Sequence, residues 1–323
     1  MKFLALLAAL AFEQVRPLRA DNALHAAYER HARYLRHLLD AGEPRLGLWA
    51  WVIAVAPLTV LTLLLAWMFG HFNSAAAWLF SVAVLYVTVG FRKFSNYFNE
   101  INKLMKAGDM PGARDQLRQW RNADAGVLDA NALARVAIEQ GLMASHRHVF
   151  GPVAWFLVCG PAGALFYFLA AALHEVWRAR AIPNAPNLPE VGLSVEFAQF
   201  AARAFAVIDW LPARLTAASF AAVGNFQDAV DCWRAQAASW PDAAQGIILS
   251  SGAGALGVKL GGALTNGADS GGGTESFDTA RPELGTGDEA DADHLSSAVG
   301  LIWRALVMWM LLAGVVTIAH SLG

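Results

Sequence analysis

The sequence predicts an all-α, polytopic integral membrane protein with about four to six membrane segments. Three observations predict it. Hydrophobic residues make up 56% of the 323 residues and charged ones 15%, against about 25% charge in a soluble domain. Residues 46–91 hold no Asp, Glu, Lys or Arg. Two more apolar tracts follow, at 149–173 and 301–319, and each is close to the roughly 20 residues that a spanning helix needs.

The uncharged run divides at Gly70-His71-Phe72-Asn73-Ser74. It reads as a hairpin of two spanning helices, 47–69 and 75–91, with Pro57 kinking the first. The tract 149–173 contains Gly151-Pro152 and Gly160-Pro161, so a kink or break is expected there. Arg304 lies near the start of 301–319, where its side chain can snorkel to the interface. Residues 1–12 are apolar but short, and Glu13 and a run of arginines follow. They read as a retained helix lying in or entering the bilayer rather than a cleaved signal. Residues 205–226 hold Asp209, Pro212 and Arg214 and read as re-entrant or cavity-lining. Trp49, Trp67, Trp78 and Trp303 fall near tract ends, as interfacial belts require.

Lys/Arg bias sets orientation. Segment 13–45 carries Arg16, Arg19, Arg30, Arg33, Arg36 and Arg45, and segment 92–148 begins with Arg92-Lys93. Both flank the same hairpin, which places both in the cytoplasm and the loop 70–74 outside. The chain then reads as a single membrane domain, 1–323. Segment 92–148 is a cytosolic-side helical part, with amphipathic helices at 99–119 and 129–142 and a turn at Asp109-Met110-Pro111-Gly112. A polar, Gly-rich segment, 226–300, has a side that depends on whether 205–226 crosses. Residues 182–192, with Pro183, Pro186 and Pro189, read as an ordered linker, and 267–279 as a mobile Gly/Ser stretch.

Composition also excludes function classes. A formal net charge of −2 argues against a nucleic-acid partner. Cys159 and Cys232, the only cysteines, form neither a metal spacing nor a disulfide framework, and Cys159 reads as a packing residue. No internal repeat is visible, which argues against a transporter. The expected partners are the lipid bilayer and an anionic small molecule. Asp209 and Arg214 are functional candidates because ionisable groups in apolar segments are costly; an internal ion pair pinning a turn is the competing reading. Lys259 follows a glycine-rich stretch that could cradle an anion. The competing and favoured reading there is close helix packing of Gly252, Gly254, Gly257, Gly261 and Gly262. His146 and His148 read as a solvated or interfacial cluster, and His174-Glu175 as an interfacial helix cap.

Four motifs, in order, resemble those of the CobD/CbiB membrane proteins of cobalamin biosynthesis. They are Gly160-Pro161-Ala162-Gly163-Ala164-Leu165-Phe166-Tyr167, then Asp209-Trp210-Leu211-Pro212-Ala213-Arg214-Leu215-Thr216. Gly254-Ala255-Leu256-Gly257-Val258-Lys259-Leu260-Gly261-Gly262 follows, and then Arg281-Pro282-Glu283-Leu284-Gly285. This resemblance covers about residues 95–320. Phe12-Glu13 and the arginines after it resemble AmpE, a related inner-membrane protein linked to β-lactamase regulation.

The resemblance implies adenosylcobinamide-phosphate synthase activity. In that reaction an aminopropanol-type amine is joined to adenosylcobyric acid in an ATP-dependent amide bond, with Mg²⁺ on the nucleotide. The sequence departs from that pattern where the family has acids. Met143, Ala144 and Arg147 stand where its Glu-Asn-x-x-Asp cluster is expected, His174 ends the place of Asn-Thr-Leu-Asp, and Phe205-Ala206 replace an Asp pair. Glu139 matches an earlier family Glu. The sequence therefore points to a degenerate, AmpE-like member with a regulatory or ligand-binding role. Its candidate binding residues are Glu139, Arg147, Asp209, Arg214 and Lys259, with no metal and no cofactor. Mg²⁺ and ATP belong only to the alternative, a working synthase.

Overall fold

The structure is a computed structural model, which describes residues 2–16, 23–39, 44–121, 128–178, 195–262 and 281–322. The stretches read above as a proline-bearing linker, 182–192, and as a Gly/Ser-rich segment, 267–279, lie outside the described residues. Helices dominate. Four of them, Leu46–Phe72, Ala130–Trp177, Gln199–Val223 and Ala292–Ala319, are long and apolar enough to cross a membrane. Two shorter apolar helices, Ser74–Thr88 and Ala243–Leu256, accompany them. The chain is thus an all-α polytopic membrane protein. It separates into two compact units, the first made of Met1–Gly90 and Arg147–Pro212, the second of Phe91–His146 and Ala213–Gly323.

In the first unit α1 (Lys2–Val15) packs against α4 (Ser74–Thr88) through the buried Ala5, Leu6 and Ala9. Helix α2 (Ala23–Leu39) packs on α3 (Pro44–Phe72) and α8 (Gly151–Arg178). Tyr28, Ala32 and Leu35 of α2 meet Ala50, Ala54 and Val55 of α3 and Leu169, Leu173 and Trp177 of α8 in one core. Small alanines at helix crossings allow the close approach that drives packing in lipid. The outer face of α3 stays apolar and exposed, with Leu61, Leu64 and Trp67 all more than half exposed, as a lipid-facing helix requires.

The hairpin forms, but its second limb is shorter than the sequence predicts. Asn73 caps α4 by accepting from the Ala75 and Ala76 amides, at 2.8 and 3.3 Å. The helix ends at Thr88 because Val89 is extended (φ −89°, ψ 130°), and Phe91 opens a new helix, α5 (Phe91–Lys106). Fifteen residues span only about 22 Å. Pro57 lies inside α3, which continues to Phe72. Helix α8 is kinked where Gly160-Pro161 predicts, Gly160 standing at φ 67°, ψ −155°. Cys159, at this kink, is exposed, not a packing residue; Cys232 is the buried one.

The sequence reading of 205–226 as re-entrant is wrong. Residues 205–223 belong to one continuous helix, α9 (Val195–Val223), with Pro212 in its interior. A proline removes one backbone donor, which the rest of a long helix tolerates in an apolar setting.

The second unit packs α5 on α6 (Met110–Arg121) and on α7 (Ala130–Ser145). The turn between α5 and α6 begins two residues earlier than expected, at Ala107–Asp109, with Gly108 at φ 77°. Helix α7 is not amphipathic: Leu133, Ala134, Val136, Ala137, Ile138 and Leu142 are all buried. Helix α10 (Phe226–Gln236) packs on α11 (Ala243–Leu256), and α12 (Ala292–Leu322) on α7. Gly257, in the left-handed region at φ 65°, caps α11. The chain then enters β1 (Val258–Gly261), the centre of a small sheet with β2 (Glu283–Leu284) antiparallel on one side and β3 (Asp288–Glu289) parallel on the other. Gly252 and Gly254 serve helix packing as expected. Gly257, Gly261 and Gly262 instead build the turns that frame β1, at φ 65–72°.

Candidate functional site

In the second unit the geometry converges on Glu139. Asp129 caps α7 by accepting from the Ala132 amide at 2.6 Å, and the helix carries Glu139 into the core, 8% exposed. Gly261 must be glycine, since a Cβ there would run into the Pro282 carbonyl. That close approach lets the Gly261 amide donate to Glu139 Oε1 at 2.7 Å. Arg281 donates from Nη2 to Glu139 Oε2, and both side chains are about nine-tenths buried. The Arg281 guanidinium also lies 5.8 Å from the centre of the Trp240 ring, a cation–π geometry. Its Nε is buried and meets no acceptor among the described residues. Gln236 holds the adjoining strand, accepting from the Gly285 amide at 2.6 Å and donating to the Gly285 carbonyl at 3.3 Å. Lys259, on β1 and two residues before Gly261, is nearly half exposed and stands 3.7 Å from Glu289.

The first unit holds a second polar cluster, between α8 and α9. Tyr167 is fully buried and donates to Asp209 Oδ1 at 2.8 Å. Gly151 makes room for the Tyr167 ring, because a Cβ there would collide with it. Phe205 packs against Tyr167, with ring centres 5.7 Å apart, and stacks on His174 at 5.1 Å and 15°. Arg147 Nη1 donates to Glu175 Oε1 at 3.0 Å. The Trp155 indole donates to the Ile208 carbonyl at 3.2 Å, tying α8 to α9 beside Asp209.

His146 is a correction. It is fully buried in the second unit, with Nδ1 2.9 Å from Thr216 Oγ1. It opens the π turn His146–Phe150, and such wide turns redirect side chains within a helix. A neighbouring arginine made it look solvated in the sequence. His174, read from the sequence as part of an interfacial helix cap, is buried. Arg214 is half-buried on α9, two residues past Pro212.

The five predicted site residues therefore do not form one described cluster. Glu139 and the strand of Lys259 belong together in the second unit, which also holds Arg214. Arg147 and Asp209 share the other cluster. Sequence reasoning missed Tyr167 as the donor to Asp209, Glu175 as the partner of Arg147, and Arg281 as the partner of Glu139. Arg281 had a signal, since it opens the Arg-Pro-Glu-Leu-Gly motif.

A family model described as "CobD/Cbib protein" matches residues 4–302. The chain belongs to the CobD/CbiB family. The match takes in the N-terminal stretch as well as the four motifs. The chain is 31% identical to a protein of Stutzerimonas stutzeri named "Cobalamin biosynthesis protein CobD", over 93% of this chain and 90% of that one. A protein of the same name from Chromobacterium violaceum is 34% identical over 72% of this chain and 69% of its own. One from Brucella suis is 24% identical over 86% and 81%. No solved structure matches the chain significantly. Within this family frame, Tyr167 and Asp209 come from two of the motifs, and Lys259, Gly261 and Arg281 from the other two.

Proposed function

We propose that this chain is an inner-membrane protein of cobalamin biosynthesis that binds an anionic ligand without forming the family's amide bond. The observation that carries this reading is the engagement of Glu139. The amide ligation implied by the family resemblance needs Mg²⁺ held on carboxylates. Glu139 offers one oxygen to the Gly261 amide and the other to Arg281, so a cation would have to displace a buried guanidinium. Asp209 takes the Tyr167 hydroxyl. Among the described residues no three His, Cys, Asp or Glu side chains come together as a metal site. The described residues thus do not fit the ion.

They fit an anion better. Arg281 keeps a buried Nε donor with no acceptor among the described residues, and Arg135 stands one helical turn before Glu139 on α7. A guanidinium is suited to carboxylates and phosphates, which it binds through paired donors. Adenosylcobyric acid carries such a carboxylate, and the relatives' shared name supports the pathway.

The second reading is a working adenosylcobinamide-phosphate synthase. It is favoured by the CobD of S. stutzeri, which aligns over nine-tenths of its own length. One experiment separates the two. A synthase-deficient strain is grown on cobyric acid with this chain supplied, and the purified protein is titrated with adenosylcobyric acid. No growth together with saturable binding is expected. Growth promotes the synthase; neither growth nor binding removes this ligand.

A further inference from the structure

We propose that α2 is a docking face for anionic phospholipid headgroups, with Arg30 and Arg33 holding the phosphates. The case starts from the helix pattern. Tyr28, Ala32 and Leu35 turn one stripe of α2 into the first unit's core. No described residue covers the opposite stripe: Arg30 and His31 are exposed, Tyr34 is 62% exposed and Leu38 64%. Arg33, at the edge of that stripe, is 40% exposed by its side chain. A helix with basic groups beside an exposed tyrosine and leucine has the composition of an interfacial helix.

The position of α2 settles what can cover this stripe. The Tyr28 hydroxyl donates to the Leu169 carbonyl at 3.0 Å, and the Trp177 indole to the Ala32 carbonyl at 3.2 Å. Leu169–Trp177 is the final stretch of α8, and Trp177 closes a candidate span. On its other side α2 packs against α3, whose candidate span begins at Leu46, seven residues after α2 ends at Leu39. One span therefore ends and another begins beside α2, which puts the helix at a bilayer surface. A soluble partner would have to compete there with headgroups present at very high local concentration.

Charge selects the kind of lipid. Glu29 is the only acid on α2, and it is shared between His25 at 3.2 Å and Arg33 at 3.8 Å. Arg30 bonds only weakly to its own helix, Nε reaching the Ala26 carbonyl at 3.3 Å, so most of its donors face outward. Arg36 is buried, with Nη1 3.5 Å from the Trp177 carbonyl, and takes no part. The face therefore presents Arg30, and Arg33 in only a long contact with Glu29, beside the exposed Tyr34 and Leu38, complementary to a phosphate and the acyl chains below it. Basic residues at an anionic surface each contribute about fivefold in affinity.

The test uses the full chain, reconstituted in nanodiscs of phosphatidylcholine with or without one-third phosphatidylglycerol. Bound phosphatidylglycerol is counted per protein by native mass spectrometry, and thermal unfolding is followed in both. Wild type is expected to retain phosphatidylglycerol and to gain thermal stability from it. Arg30→Gln with Arg33→Gln should lower the apparent affinity roughly twentyfold, while Arg30→Lys with Arg33→Lys keeps most of it. Equal lipid retention in the glutamine variant overturns the proposal. So does stabilisation by inorganic phosphate alone matching that of the lipid.

Discussion

The Tyr167 hydroxyl meets the Asp209 carboxylate at 2.8 Å, 42 residues away along the chain and buried in the first unit. Tyr167 ends the motif that opens at the α8 kink, and Asp209 begins the one that contains Pro212. The bond joins two family motifs. It also gives the Asp209 oxygen a donor in a segment where an acid is costly.

Tyr167→Phe keeps the ring against Gly151 and Phe205 and removes only the hydroxyl. We expect a loss of about 1–3 kcal/mol, the usual cost of withdrawing a partner from a buried polar group. Asp209→Asn keeps an acceptor and should cost less. Thermal unfolding in detergent measures both, and the double variant should show coupling of about 0.5–3 kcal/mol. Purely additive losses would mean that the hydroxyl and carboxylate do not interact in the folded protein.

The Glu139–Arg281 pair makes a stronger prediction, because both groups are ionic and about nine-tenths buried. Arg281→Met leaves the Glu139 charge with the Gly261 amide and should cost about 3–5 kcal/mol. Adding Glu139→Gln to Arg281→Met should recover part of that loss, since the surviving group is no longer charged. If the double variant is less stable than Arg281→Met alone, the pair is not the source of the loss.

How far the sequence reveals this architecture depends on how local each cause is. The uncharged residues 46–91 announce α3, and Gly160-Pro161 announces the kink in α8, because both effects are written within a few residues. The end of α4 at Thr88 is not legible, since Val89, Gly90 and Phe91 carry no charge and continue the apolar run. The burial of α7 is hidden for the opposite reason, since charged residues flank it and suggest a solvated face. Glu139 is legible as an unusual acid, but its partner Arg281 is 142 residues away, and no periodicity links them. His146 is the sharpest miss: beside Arg147 it looks solvated, yet it is buried with a ring nitrogen against Thr216, 70 residues away on α9.

Two glycines separate close packing from mere small size. A Cβ at Gly254 would come under 3.0 Å from Asp228 and Ala229 backbone atoms on α10, and no side-chain rotation relieves a clash with backbone. Gly254→Ala should cost at least about 1–3 kcal/mol and lower the yield of folded protein. Gly300, in α12, has nothing within 4 Å of its would-be Cβ. Gly300→Ala should be neutral or gain up to about 1 kcal/mol from reduced chain entropy and better helix propensity. Size-exclusion yield and unfolding temperature check both; equal behaviour would contradict the packing of α10 on α11.

The last prediction concerns topology, and α4 makes it a sharp one. Arg-rich segments flank α3 and α4, with Arg16, Arg30, Arg33 and Arg36 before them and Arg92-Lys93 after. The bias of basic residues towards the cytoplasm places both flanks on that side. Yet α4 is 15 residues long, about 22 Å of helix against a hydrocarbon core of about 30 Å. Crossing therefore requires local thinning, or extra reach from the extended Val89-Gly90 and the start of α5. Reporter fusions decide it. Fusions after Arg36 and after Arg121 should report cytoplasm, and one at Asn73 the outside. A cytoplasmic Arg36 with an external Arg121 would mean that α4 turns back without crossing, and that the charge bias, in this chain, yields to helix length.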